Sequence, residues 1–156
     1  MSQFRVEKQR AEAELTLASG ECRRGCFFLA ASTPTHLRPE RVKDLLNLET
    51  GFFPFEIPDS RTVLVHRSHL VTVRLMGTAY EPHLDAGYDV ALAREVELRL
   101  SNRVVLRGTV RIFRPEGHDR LSDYARSPEL FRYLENPEGA YIVNTAHIVE
   151  FSEVPS

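Results

Sequence analysis

Glu14-Leu15-Thr16-Leu17-Ala18-Ser19-Gly20-Glu21-Cys22-Arg23-Arg24-Gly25 lies without a gap over Glu97-Leu98-Arg99-Leu100-Ser101-Asn102-Arg103-Val104-Val105-Leu106-Arg107-Gly108. The shared frame is E-L-x-L-x6-R-G, and it reads as the same hairpin twice. Alternating leucines mark a half-buried strand, Ser19-Gly20 or Ser101-Asn102 turns the chain, and the next strand carries the Arg-Gly pair. A glycine held at one strand position in both places predicts a bulge or a bend.

Working outward, Arg41-Val42-Lys43-Asp44 matches Arg120-Leu121-Ser122-Asp123, and Phe52, Glu56 and Pro58 match Phe131, Glu135 and Pro137. A last block pairs Val63-Leu64-Val65-His66-Arg67-Ser68-His69-Leu70-Val71 with Tyr141-Ile142-Val143-Asn144-Thr145-Ala146-His147-Ile148-Val149. The changes in spacing fall where loops are expected. The chain is therefore an internal duplication, with copies at 1–75 and 94–156 and a linker at 76–93. Tyr80, Leu84, Tyr88, Val90 and Leu92 make that linker too apolar for a free tether, so it is expected to pack on one or both copies.

Beyond the hairpin each copy predicts a short helix and three more strands. Pro39 suits a first helical position, with Val42, Leu45 and Leu46 on one face; Leu121, Tyr124 and Ala125 repeat that spacing. A third strand follows at Phe52 to Phe55 or Phe131 to Leu134, then a turn and a fourth at Thr62 to Val65 or Ala140 to Val143. A polar interruption precedes the fifth, which starts at His69 or His147. Mainly β with short helices, in this strand order, describes two tandem SH3-like or Sm-like small β-barrel modules. The second copy, with Arg120-Leu121-Ser122-Asp123-Tyr124, Phe131, Leu134, Tyr141-Ile142-Val143-Asn144 and His147-Ile148-Val149, resembles small bacterial β-barrel domains of unknown function. The first copy departs from that pattern at Lys43, Leu45 and His66. The resemblance implies the fold and no activity.

Composition narrows the function classes. Hydrophobic residues at 42% and charged residues at 27% suit a globular core, while 20 basic and 22 acidic residues, a formal charge of -2, give no net field for nucleic acid or an anionic membrane. The N-terminal residues lack a signal-peptide core and no apolar run is long enough to span a bilayer, which favours the cytoplasm and no membrane partner. Cys22 and Cys26, on one strand face, read as reduced thiols.

The chemistry-bearing residues are few. Histidines at 36, 66, 69, 83, 118 and 147 show no metal-ligand spacing, and no nucleophile elbow or phosphate loop is present. No catalytic residue, metal or cofactor is expected. The polar positions held in both copies carry structural readings: Arg24 and Arg107 as outer-face charges, Asp44 and Asp123 at a helix start, and His69 and His147 capping the turn before the last strand. Duplication without catalytic residues favours a non-enzymatic protein-interaction module, an adaptor or scaffold whose partner is another protein, with a homo-oligomer as a further possibility. The alternative is a small-ligand-sensing or nucleic-acid-binding protein with a site between the modules, lined by His36, Arg38, His118 and Arg120. Phe27, Phe28 and Phe52 to Phe55 lack the basic density of a nucleic-acid surface, which disfavours that partner.

Overall fold

The structure is a computed structural model that describes residues 8–30, 39–77, 81–112 and 128–155. The first half holds β1 (Lys8–Leu17), β2 (Cys22–Ala30), α1 (Val42–Leu48), β3 (Phe52–Ile57), β4 (Arg61–His66) and β5 (Leu70–Leu75). The second holds β6 (Leu92–Leu100), β7 (Val105–Ile112), β8 (Phe131–Asn136), β9 (Gly139–Asn144) and β10 (Ile148–Glu153). A 3-10 turn, Arg67–His69 or Thr145–His147, precedes the last strand of each half.

All ten strands join one antiparallel sheet in the order β10-β6-β7-β8-β9-β5-β1-β2-β3-β4, and the sheet does not close on itself. Each half contributes its strands in the same order, fifth-first-second-third-fourth. The halves meet where β5 pairs with β9, in the register Thr72↔Val143, Val73↔Ile142 and Arg74↔Tyr141.

Local backbone bonds repeat as well. Ala18 N donates to His69 O and Ser101 N to His147 O; Met76 N donates to Glu12 O and Val154 N to Glu95 O. The repeat seen in side chains is thus also a repeat of backbone geometry.

The shared glycine has a steric cause. A Cβ on Gly25 would lie 2.0 Å from Glu56 O, and one on Gly108 would lie 2.6 Å from Glu135 O and 2.4 Å from Leu134 Cδ2. The register of both hairpins runs unbroken through these residues, so the glycine serves a close approach of strands and not a bulge.

The helix starts at Val42, three residues beyond Pro39, because Asp44 Oδ2 accepts the Arg41 N–H at 2.9 Å and sets the first turn there. At its other end the Arg67 guanidinium donates to Leu45 O, Leu46 O and Phe52 O. Thr145 stands in its place in the second half and donates through Oγ1 to Leu130 O at 2.8 Å.

Two apolar cores form, and each borrows from the other half. Ala13, Leu15, Phe27, Phe53 and Phe55 belong to the first core, which also takes Phe131 and Ile142 from the second half. Val96, Leu98, Leu100, Val110 and Leu134 belong to the second, which takes Val71 from the first half. Strands β5 and β9 therefore serve both cores.

Candidate functional site

A densely bonded polar cluster lies where α1, the connection between the halves, and β8 converge. Glu81, buried, accepts from Val42 N at 2.7 Å, from Lys43 N at 3.4 Å and from the Tyr133 hydroxyl at 2.7 Å. A carboxylate from the connection thus satisfies amide donors that a short helix leaves unpaired. Arg41 reaches both Asp44 and Asp85, and Lys43 Nζ lies 3.1 Å from Glu129 Oε1. Burial pushes the Tyr133 phenol well above its usual range, and the adjoining Glu81 carboxylate adds to the shift. Burial lowers the Arg41 pKa, but the Asp85 bond outweighs it and holds the guanidinium firmly charged.

Farther along the same connection, the Tyr88 hydroxyl donates to Glu135 Oε1 at 2.6 Å and accepts from Arg111. The connection is bonded to both halves at once. Beside it a cavity of about 690 Å³ is lined by Leu29, Leu75, Met76 and Leu84, with Arg41 and Glu81 in its wall. Both of those charged groups are engaged within the protein, Arg41 with Asp44 and Asp85 and Glu81 with the α1 amides and Tyr133, so among the described residues neither is left for a ligand.

The positions held in both copies divide clearly. Arg24 lies 3.6 Å from Glu14 and Arg107 lies 2.6 Å from Glu97, as exposed cross-strand ion pairs. The turn before the last strand is capped by His66 and Asn144, not by His69 and His147: His66 Nδ1 accepts from Ser68 N and Asn144 Oδ1 from Ala146 N. An acceptor two residues before an amide closes the small ring of an Asx-type turn, which the later histidine cannot reach.

His147 instead spans the seam between the halves. Its Nε2 donates to Ser68 O at 2.7 Å while Nδ1 meets Ser101 Oγ at 2.7 Å. Asn144 crosses the same seam, with Nδ2 donating to Leu70 O at 2.9 Å and to Arg67 O at 3.3 Å. Sequence reasoning passed over Asn144, Glu81 and Tyr133; the only signal for Asn144 was its place opposite His66 in the repeat.

His36, Arg38, His118 and Arg120, read as an inter-module binding set, lie outside the described residues, as does Asp123. Among the described residues no group of three or more His, Cys, Asp or Glu side chains is placed to hold a metal ion. Cys22 and Cys26 are free thiols, and burial followed by Glu12 and Glu56 raises the Cys26 pKa. No described helix is long and apolar enough to cross a membrane.

The ends of the sheet present the other candidate surface. Among the described residues strand β4 ends one side and β10 the other, with no further strand beside either. Each carries an exposed apolar side chain, Leu64 on β4 and Val149 on β10. Comparison with family models, with curated proteins and with solved structures finds no match to this chain.

Proposed function

We propose that this chain is a non-enzymatic protein-binding module that acts through the open edges of its sheet. An edge strand offers a row of backbone donors and acceptors to an incoming strand, and an apolar side chain on it adds a place to anchor. The observation that carries the reading is the exposure of Leu64 and Val149 on the two end strands. The engaged state of Arg41 and Glu81 supports binding at the edges over a ligand role for the cavity.

We further read each half as a small barrel of the SH3-like or Sm-like type. Its five-strand order, and an apolar core to which strands β1 to β5 all contribute and which Phe131 and Ile142 complete, support that reading. Kinship with small bacterial β-barrel domains and a cytoplasmic location belong to the same proposal, the latter in keeping with two free thiols.

Affinity capture from the native cell tests the function. Leu64→Lys and Val149→Lys are set beside wild type, with Val90→Lys as an exposed control on the connection. Partners retained by wild type and Val90→Lys and lost from an edge variant are expected. Retention untouched by both edge variants, with a nucleotide or RNA raising the melting temperature instead, would sink the proposal.

A further inference from the structure

The two strands left open at the ends of the sheet are the repeat counterparts of the two that meet at its centre. In the repeat alignment β4 corresponds to β9 and β10 to β5, and β5·β9 is the seam between the halves. We propose that the β4 edge of one copy of this chain pairs with the β10 edge of another, reproducing that seam between molecules. This rests on the edge-binding function proposed above and names its partner as a second copy of the chain.

Apolar exposure supports the assignment position by position. At the seam Phe131 is 1%, Ile142 0% and Val71 0% exposed, each lodged in the other half's core. Their counterparts at the open ends, Phe52, Leu64 and Val149, are 57%, 66% and 71% exposed. The residue class is kept at all three positions, and among the described residues only the cover is missing. A second copy in the seam's register would set Glu150 opposite Val65, Phe151 opposite Leu64 and Ser152 opposite Val63, the counterparts of the pairs formed by Thr72, Val73 and Arg74.

Polar groups and charge agree with that partner. His66 Nδ1 accepts from Ser68 N, which leaves Nε2–H to donate across the junction as Asn144 Nδ2 does at the seam. His69 would stand to Ala146 O as His147 stands to Ser68 O. The ionisable side chains on β4 are Arg61 and His66, and those on β10 are Glu150 and Glu153, which stay half exposed while pairing with Arg99 and Arg94 of β6. Opposite charge favours β4 on β10 over like pairing of either edge with itself. Such a contact is head-to-tail, so it builds a closed ring or an open filament and not a two-fold dimer.

Light scattering coupled to gel filtration, across a concentration series, reads the assembly directly. Wild type is expected to form species larger than a dimer. Leu64→Lys alone and Val149→Lys alone are expected to be monomers, each with one intact edge, and their equimolar mixture to yield a dimer and nothing larger. Both positions are exposed, so circular dichroism should match wild type; should one variant misfold, Arg61→Glu at the start of β4 makes the same test. A wild type that stays monomeric throughout overturns the inference, and so does a single variant that still dimerises with itself. If wild type is monomeric while edge variants still lose captured partners, self-association falls and the edge-binding function stands. If capture is also unaffected, both fall.

Discussion

Asn47 on α1 and Phe131 on β8 are joined by two hydrogen bonds of 2.9 Å, Asn47 Nδ2 to Phe131 O and Phe131 N to Asn47 Oδ1. A single side chain of the first half thereby completes the backbone of a strand in the second. Asn47→Ala leaves a buried N–H and C=O unpaired and should cost about 2–4 kcal/mol of stability. Urea denaturation measures it, and an unchanged midpoint would show that water or another group substitutes fully.

Tyr133 links α1 to β8 through Glu81, and its pKa is raised by burial first and by Glu81 second. With the folded pKa above the unfolded value of about 10, the folded state holds the proton more tightly. The associated stability is complete below about pH 10 and is lost as pH climbs beyond it toward the folded value. Wild type should therefore lose stability with rising alkaline pH more steeply than Tyr133→Phe. Parallel slopes in pH-dependent melting would contradict the assignment.

Gly25 and Gly108 stand where β2 and β7 run against a neighbouring backbone. Gly25→Ala, with carbonyl oxygen 2.0 Å from the new carbon, should destabilise by about 3 kcal/mol or more. Gly77→Ala, which meets nothing within 4 Å, should change the melting temperature little. Equal effects of the two substitutions would remove the steric explanation.

Arg67 is buried and donates to three carbonyl oxygens, two of them at the end of α1. Burial lowers its pKa and nearby Glu49 partly offsets the shift. Arg67→Ala should cost about 3 kcal/mol or more, and Arg67→Lys should recover only part because an ammonium cannot reproduce the planar fork. Recovery to wild-type stability by lysine, seen in chemical denaturation, would argue that charge alone matters.

The hairpins were legible because period-two alternation is a local signal, carried by Leu15 and Leu17 or Leu98 and Leu100. The repeat was legible because both halves hold the same leucines, Arg-Gly pair and histidine. Fusion into one sheet was not. Val73 and Phe151, or Ile142 and Leu64, are equally apolar in sequence, and nothing local tells the member that finds a partner from the one at an edge. The helix start was legible only in part: Asp44 holds the Arg41 amide from within the first turn, but Glu81, which satisfies the next amide, lies 39 residues from Val42, beyond any capping pattern. His36, Arg38, His118 and Arg120 lie outside the described residues, whereas the features that set the open edges apart lie in strands the copies share.

Hydrogen exchange at the two end strands, followed against protein concentration, tests the edge account most directly. The amides of residues 61–66 that face away from β3 and those of 148–153 that face away from β6 should gain protection together as concentration rises, while those of 70–75 and 139–144, already paired at the seam, stay unchanged. Exchange at β4 and β10 that is indifferent to concentration, or protection that arises on only one of them, would contradict it.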